Sequence, residues 1–392
     1  MAGALVIDAG ELRDRLAGLE PIGLGADGTT RLAWTPELGA AEEWFRDQAH
    51  AGGLRVERDP AGSLWAIPDG SGPWWATGSH LDSVRAGGRY DGALGVAAGF
   101  AVADRVPGVA VIAFVDEEGA RFNTPTFGSR ALVGRLDVGD VLARVDDEGV
   151  VLADAMRAAG VDASRLGDAV AWLERLRGFV ELHIDQTQEL AQLGAPAGSV
   201  RSLAARMRLA LTFVGRADHA GTTRRSERRD ALAAAARLIV AADDLAAGDA
   251  NFLVTSARML VEPNAFTTVP SGVRLWIDGR TPDGERLIEW RESLVQVASE
   301  LSARTGVEIE LATASHSDAV ELDPGVRAAL GDLPELVCFA GHDAGILAPR
   351  VRAGMVFVRN ATGVSHAPDE HVDLADAAVA ADALRTTLER LA

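Results

Sequence analysis

The sequence contains no lysine, since all 38 of its basic residues are arginine. A chain without lysine cannot form a Schiff base with a carbonyl substrate and cannot use the lysine of a P-loop. Its single cysteine, Cys338, cannot form an intramolecular disulfide, which fits a reducing cytosol. Because Cys338 lies in the apolar stretch LVCFAG, we interpret it as a buried structural thiol rather than a nucleophile.

The chain also lacks long apolar runs and an excess of positive charge. No stretch of about 18 uncharged apolar residues is present, so we expect no membrane-spanning helix. The formal net charge of −19 argues against nucleic acid or an anionic membrane as a partner. The first residues, MAGALVIDAGELRDRL, lack the basic flank and apolar core of a signal peptide. We therefore expect a cytoplasmic protein.

At 392 residues, the chain is longer than one hydrophobic core usually supports, which predicts two domains. Short apolar runs alternate with helical patterns, which indicates an α/β fold with a mixed, largely parallel sheet. The predicted strands are PWWATGS, VAVIAFVDE, GFVELHID and GMVFVRN, and the predicted helices are 36–54, 93–105, 150–160, 168–177 and 374–391.

Residues 202–313 have a different pattern. They contain four strand-like runs and two amphipathic helical runs, at 231–247 and 284–304, which is typical of an α+β domain. We therefore predict that residues 1–201 and 314–392 form one domain and that residues 202–313 are inserted into it.

Each of the four predicted strands leads to side chains that can bind a metal ion. In open parallel sheets, ligands bind beyond the carboxyl ends of the strands. Imidazole and carboxylate donors without thiolates suit Zn²⁺, Mn²⁺, Co²⁺ or Ni²⁺. The convergence of four strand ends predicts a two-metal hydrolytic site with one shared carboxylate. The candidate ligands are His80, Asp91, Glu117 or Glu118, His183 and His366.

Two features of this pattern leave alternatives open. A single histidine is more often a structural residue than a ligand, so the prediction depends on all four strand ends together. Glu117 and Glu118 are adjacent and point in opposite directions as they leave the strand. One of them can bind a metal while the other acts as a general base, and a solvated acidic turn is the alternative.

These stretches resemble the M20 family of dinuclear metallohydrolases, within it the hydantoinase/carbamoylase group. The resemblance extends from about residue 78 to residue 373 and rests on GSHLDSVRAGGRYDGALGV, DEEGARF, FGSRALVGR, ELHIDQ, HAGTTRRSERRDAL, VPSGVRLWIDGR, GHDA and GVSHAPDE. It implies a metallopeptidase-like catalytic domain interrupted by a lid domain that forms a homodimer. The histidine in ELHIDQ points to the carbamoylase group rather than to the peptidases.

The resemblance also implies roles for individual residues. One metal ion would be held by His80, Asp91 and His183, and the other by Asp91, Glu118 and His366. Glu117 would be the general base, and Asp82 would orient His80. His219 of the lid would reach the active site of the partner subunit and stabilise the oxyanion. The substrate would contact Gln186 and Arg280, and His342 would be structural or lie behind the ligands.

The sequence departs from the family pattern mainly at positions near the substrate. Thr267 replaces an asparagine, Thr187 and Gln188 replace a glycine and a proline, and Arg359 could add a contact to an anionic substrate.

We expect a metal-dependent amidohydrolase that cleaves a ureido, carbamoyl or amidine C–N bond of a small N-substituted amino acid bearing a carboxylate. Two divalent ions per subunit would support the reaction, Zn²⁺ first and Mn²⁺, Co²⁺ or Ni²⁺ as alternatives. The alternative functions are hydrolysis of an N-acyl amino acid or dipeptide amide, and an inactive metal-binding dimer.

Overall fold

The computed structural model describes residues 6–392. Residues 1–5, the beginning of the predicted catalytic domain and of the N-terminal stretch MAGALVIDAGELRDRL, lie outside the described residues. The chain divides into two compact units. The large unit comprises residues 6–201, Glu321–Leu336 and Gly341–Ala392, and the inserted unit comprises Ser202–Val320 and Val337–Ala340. Between residues 6 and 392, every helix is too short or too polar to cross a membrane.

The strands, in chain order, are β1 (Leu24–Gly25), β2 (Gly28–Thr29), β3 (Arg55–Arg58), β4 (Leu64–Ile67), β5 (Trp74–His80), β6 (Val109–Phe114), β7 (Leu176–Ile184), β8 (Ala197–Leu203), β9 (Ala205–Val214), β10 (Asp218–His219), β11 (Leu253–Glu262), β12 (Thr268–Val269), β13 (Gly272–Thr281), β14 (Glu308–Ser317), β15 (Val320–Glu321), β16 (Glu335–Cys338) and β17 (Arg352–Val358).

The α-helices are α1 (Ala9–Ala17), α2 (Pro36–Ala51), α3 (Ala93–Ala103), α4 (Phe127–Leu132), α5 (Val138–Leu142), α6 (Leu152–Ala158), α7 (Glu189–Leu193), α8 (Ala231–Asp244), α9 (Gly284–Thr305), α10 (Pro324–Leu330), α11 (Asp343–Leu347) and α12 (Leu374–Leu391). Two 3₁₀ helices lie at Ala163–Arg175 and Arg225–Glu227.

The centre of the large unit is a sheet in which β17, β7, β5 and β6 are neighbours in that order and run parallel. Antiparallel strands flank them: β8 pairs with β17, and β4 pairs with β6. β5 and β6 are buried along their whole length, as expected for strands covered on both faces. The predicted α/β fold with a mixed, largely parallel sheet is therefore confirmed.

Helix α3 is almost entirely buried. Its sequence, ALGVAAGFAVA, is apolar on all sides, and residues 93–102 are all buried. It packs against β5, β6 and β7. Because α3 begins at Ala93, the rigid helix fixes the position of Asp91 just before it.

The inserted unit is built on an antiparallel sheet with the order β11-β13-β9-β14. Buried and more exposed residues alternate along β9 and β13, so one sheet face forms a core. Helices α8 and α9 pack against this sheet, and Leu238, Trp290 and Leu294 are part of the core. A short ribbon pairs His219 of β10 with Thr268 of β12.

Some predicted elements differ from the structure. Residues 168–177 were predicted as a helix, but the structure has a 3₁₀ helix that ends at Arg175 and a strand that begins at Leu176. The buried residues Leu166, Ala169 and Leu173 are three or four residues apart, a spacing that fits either helix type. Strand β14 continues to Ser317, beyond residue 313 where the inserted domain was predicted to end.

Candidate metal centre

The predicted ligands follow the carboxyl ends of the four parallel strands. His80, Asp91 and His183 are almost completely buried, whereas the side chain of His366 is 48% exposed. The supporting elements are β5 for His80, the turn before α3 for Asp91, the loop after β6 for Glu117 and Glu118, β7 for His183 and the loop after β17 for His366. The parallel arrangement therefore brings residues that are far apart in sequence to one edge of the sheet.

One group of ligand atoms forms around the Oδ1 atom of Asp91. His80 Nε2 lies 3.4 Å from Asp91 Oδ1, and His183 Nε2 lies 2.9 Å from the same oxygen. A second group forms around the other oxygen. His366 Nε2 lies 3.5 Å from Asp91 Oδ2 and 3.4 Å from Glu118 Oε1. The two oxygens of Asp91 thus face two different sets of donors.

The spacing of these atoms fits shared metal ions. Two ligand atoms bound at about 2.1 Å in a tetrahedral arrangement are roughly 3.4 Å apart. Three of the four histidine-to-carboxylate separations, at 3.4–3.5 Å, match this value, and the fourth, between His183 and Asp91, is shorter at 2.9 Å. His80 Nε2 is buried and makes no well-aligned hydrogen bond within residues 6–392, which fits a nitrogen that binds a metal ion.

The tautomers of His80 and His183 also suit metal binding. His80 Nδ1 lies 3.0 Å from the backbone oxygen of Asp82, and His183 Nδ1 lies 3.0 Å from the backbone oxygen of Ile184. A carbonyl oxygen can only accept a hydrogen bond, so each Nδ1 carries the proton. In the neutral imidazole, Nε2 of both side chains is then unprotonated, and its lone pair can bind a metal ion.

Asp82 supports the site differently from the sequence-based expectation, which was that its carboxylate orients His80. Its backbone oxygen accepts from His80, while the nearest carboxylate oxygen is 3.9 Å from His80 Nδ1. The carboxylate instead accepts hydrogen bonds from the backbone nitrogens of Glu117 and Glu118, at 3.2 and 3.1 Å. Asp82 therefore connects the end of β5 to the end of β6 and fixes both glutamates.

Glu117 and Glu118 occupy different surroundings, as adjacent residues leaving a strand should. Glu118 faces His366, whereas Glu117 Oε2 lies 3.9 Å from His80 Nε2 and is not among the closest partners of Asp91. Burial and the nearby carboxylates of Asp343 and Glu118 raise the pKa of Glu117 well above its usual value. This position leaves Glu117 beside the ligands and able to exchange a proton.

The buried negative charge of the site needs compensation. Burial first, and then the charge of Asp91, raises the pKa of Glu118 to about 8. Burial and the neighbouring carboxylates of Asp82 and Glu118 likewise raise the pKa of Asp116 well above its usual value. Carboxylates crowded together in a low-dielectric site resist ionisation unless cations are present. The donor set and its electrostatics thus both fit divalent metal ions.

The structure gives the predicted substrate residues of the large unit unequal roles. Gln186 Nε2 lies 3.3 Å from Asp91 Oδ2, so this side chain is part of the site. Arg359 Nε instead donates to Asp376 at 2.8 Å, so its charge is already paired with α12. Thr187 donates from both its nitrogen and its hydroxyl to Asp185, which shapes the local turn.

Three further predicted residues belong to the inserted unit. His219 is exposed, and its Nδ1 accepts hydrogen bonds from the backbone nitrogens of Gly221 and Thr222 at 3.1 and 3.2 Å. Since Nδ1 is an acceptor, Nε2 carries the proton and can donate it. Arg280 donates to Asp278 and to the backbone oxygen of Phe339, both at 2.7 Å.

Thr267, the position where the family pattern has an asparagine, is exposed. Its backbone oxygen accepts from Ala220 at 2.9 Å, so the residue supports the turn that follows His219 through its main chain.

Sequence reasoning missed several buried polar residues around the ligands. Asp343 accepts a hydrogen bond from Ser129, and Glu181 accepts from Ser79 and from the backbone of Ala344. Glu370 is also buried. A usable signal existed for Glu370, because it lies four residues after His366 within GVSHAPDE.

The fold and the site together define an α/β protein with clustered histidine and carboxylate side chains that could hold metal ions. Residues 73–390 match the family described as Peptidase family M20/M25/M40, and the chain belongs to this family. The family recognised from the sequence is thereby confirmed.

Several proteins with named activities are similar to this chain over nearly their whole length. The chain is 36% identical to the N-carbamoyl-L-amino acid amidohydrolase of Geobacillus stearothermophilus, with 99% of each chain covered. It is 29% identical to the allantoate amidohydrolase of Bacillus subtilis (strain 168), with 97% of each covered. A crystal structure of a hydantoinase/carbamoylase family amidase from Burkholderia multivorans superposes with a TM-score of 0.89 at 27% identity, covering 98% of both chains. The predicted enzyme class, hydrolases of non-peptide C–N bonds, is the class of these named relatives.

Metal binding should strengthen as the pH rises. Burial lowers the pKa of His183, but the Asp91 carboxylate outweighs it and raises the pKa to about 8, close to that of Glu118. Below this pH the metal-free protein holds these protons, and an ion must displace them. Affinity for Zn²⁺ should therefore rise as the pH rises to about 8, by about tenfold per pH unit for each displaced proton. Calorimetry in buffers of different ionisation enthalpy measures both the Zn²⁺ affinity and the number of protons released on binding. A pH-independent affinity without proton release would contradict this expectation.

Gly92→Ala should disrupt the site. Gly92 has φ +65°, and a Cβ atom there would overlap the imidazole of His80. Gly194→Ala is a matched control, because Gly194 has φ +67° with open space around it. Both glycines have a positive φ, so alanine should destabilise the fold at each position, by about 1–2 kcal/mol at Gly194 in the left-handed helical region and by more at Gly92, whose ψ of −50° lies outside that region. Only Gly92→Ala should also weaken Zn²⁺ binding in titrations, and equal binding by the two variants would show that the His80 contact does not matter.

Proposed function

We propose that this protein is a metal-dependent amidohydrolase that cleaves the carbamoyl or ureido C–N bond of a small N-substituted amino acid bearing a carboxylate. The observation that carries the proposal is the shared carboxylate of Asp91, whose oxygens face His80 and His183 on one side and His366 on the other. The names of the relatives support the bond type. With a ureido substrate, one water molecule would be consumed, and the products would be ammonia, carbon dioxide and an amino acid.

The proposed cofactor is a pair of divalent ions, Zn²⁺ first and Mn²⁺, Co²⁺ or Ni²⁺ as alternatives. His80, Asp91 and His183 would hold one ion, and Asp91, Glu118 and His366 the other. Each set has ligand atoms within 4.8 Å of one another. Bound divalent ions lower the pKa of water and polarise a carbonyl oxygen.

Glu117 is the proposed general base. Its carboxylate lies beside His80 Nε2 without taking part in the closest contacts of Asp91. There it can take the proton from the attacking water and return it to the leaving nitrogen. The backbone of Glu117 is fixed by the Asp82 carboxylate, which keeps the base in position.

His219 is the proposed donor to the oxyanion of the tetrahedral intermediate. Two backbone N–H groups hold its Nδ1 as an acceptor, so its Nε2–H is available while the imidazole is neutral. We propose that the inserted unit acts as a lid and that His219 acts on the active site of the second subunit in a homodimer. The exposure of His219 is compatible with this role.

Arg280 is the proposed contact for the substrate carboxylate. Its Nε and Nη1 are held by Asp278 and by the backbone of Phe339, which orients the planar guanidinium. A guanidinium fixed in this way can bind a carboxylate with little further loss of entropy. Arg359 is held in a similar way, through its Nε and Asp376, and is proposed as a second contact for an anionic substrate.

Glu117→Gln should lower kcat by about 10²- to 10⁴-fold while leaving metal content unchanged, because it removes the general base but no proposed ligand. Ammonia release by the metal-loaded protein should be measured on a panel of N-carbamoyl, N-acyl and amidino acids. Turnover only of N-acyl acids would favour the acylase alternative. No turnover on any class, or equal rates for Glu117→Gln and wild type, would refute the proposed activity.

Arg280→Ala should raise KM by about 10- to 100-fold with a smaller effect on kcat, since it removes a charged hydrogen bond to the substrate. Arg208→Ala is the matched control, because Arg208 Nε also donates to Asp278, at 2.9 Å, without being assigned to substrate. Steady-state kinetics of ammonia release measures both variants. Equal KM values for the two variants would remove Arg280 from the substrate site.

A further inference from the structure

Glu370 makes an unusual contact in the large unit. It lies in the loop between β17 and α12, four residues after His366, and is 3% exposed. Its Oε1 accepts hydrogen bonds from the backbone nitrogens of both Tyr90 and Asp91, each at 3.0 Å. One carboxylate oxygen thus binds two consecutive amides that lie about 280 residues away in sequence.

The surrounding chain leaves space for this carboxylate. A Cβ atom at Gly88 would overlap the side chain of Glu370, so the contact requires glycine there. Main-chain bonds then continue the support into α3, since Leu94 donates to the oxygen of Tyr90 and Ala93 to that of Asp91. The segment around Asp91 is therefore held from both sides, by Glu370 and by the first turn of the helix.

General stability does not explain this arrangement well. Glu370 Oε2 is buried and has no hydrogen-bond partner among the described residues, which is costly for a carboxylate. Its carboxyl group also lies close to Asp91, within the crowded acidic cluster of the site. A group that carries these costs and binds the main chain of the shared ligand fits a role in positioning that ligand.

The same loop carries a proposed ligand. His366 and Glu370 are separated by only three residues, and His366 Nε2 lies 3.5 Å from Asp91 Oδ2. The loop after β17 therefore reaches Asp91 twice, once at its carboxylate through His366 and once at its backbone through Glu370. Losing the backbone contact would release both the shared ligand and the loop that carries His366.

We propose that Glu370 is a positioning residue for the second metal ion, the one assigned to Asp91, Glu118 and His366. It holds Asp91 and His366 in the relative position that this ion requires. The inference rests on the dinuclear centre of the proposed function and adds a residue outside its ligand set. Residues that orient ligands in this way typically change metal affinity by about 10- to 100-fold when they are replaced.

The test is Zn²⁺ binding by the full-length protein, measured by titration with chelator competition, in the wild type and in Glu370→Ala, Glu370→Gln and Asp369→Ala. Glu370→Ala should weaken the second ion about 10- to 100-fold and the first ion less. Glu370→Gln should bind nearly as the wild type does, because its amide oxygen can still accept both N–H groups. Asp369→Ala, which removes an exposed carboxylate next to Glu370, should have no effect.

A second variant covers the case in which Glu370→Ala fails to fold. Gly88→Ala should displace the Glu370 side chain without removing it and should give the same selective loss of the second ion. If both single variants fold, the double variant should bind the second ion no more weakly than the weaker single variant, because both changes break the same contact. Circular dichroism of the metal-free proteins checks that each is folded.

The inference is overturned if folded Glu370→Ala or Gly88→Ala binds both ions as tightly as the wild type. It is also overturned if Glu370→Gln loses as much affinity as Glu370→Ala, because charge rather than the hydrogen-bond acceptor would then be responsible. A wild-type protein that binds fewer than two ions would instead refute the dinuclear centre itself. The two failures are thereby distinguishable.

Discussion

The structure of the site depends on the position of one carboxylate, that of Asp91. Its Oδ1 faces His80 and His183 and its Oδ2 faces His366, so a small rotation would disturb both donor groups at once. The surrounding chain restricts such movement. Asp91 lies directly before the buried helix α3, and Glu370 binds its backbone nitrogen. The parallel strands bring the histidine nitrogens to the site, but the local backbone of Asp91 determines whether its carboxylate can face both groups of them.

The second constraint is the electrostatics of burial. Asp82, Asp91 and Glu117 are each nearly inaccessible to solvent, and such a cluster opposes folding unless it is neutralised by hydrogen bonds or cations. The main chain provides part of this compensation, since Asp82 accepts from two backbone nitrogens. The remaining charge is concentrated where the histidine Nε2 atoms converge, which favours cations at that place and couples metal binding to protonation.

The sequence predicted the central sheet and the convergence of its strand ends because both depend on local patterns. Buried strands are continuous apolar runs, and parallel strands bring their carboxyl ends to one edge. Side-chain pairings have no such periodicity. The contacts of Glu370 with Asp91 and of Arg359 with Asp376 depend on how loops pack after folding. The 3₁₀ helix at Ala163–Arg175 escaped prediction for a related reason, because its apolar spacing fits two helix types.

The division of the chain into two units also separates the proposed chemical tasks. The proposed metal ligands and Glu117 belong to the large unit, whereas His219 and Arg280 belong to the inserted unit. Changes in the inserted unit can therefore alter which substrate is held without disturbing the metal ligands. The departures from the family pattern fall in both units, because Thr267 lies in the inserted unit and Thr187, Gln188 and Arg359 lie in the large unit, but none of them replaces a proposed ligand. The positions proposed to contact substrate can therefore change in either unit while the proposed metal ligands stay the same.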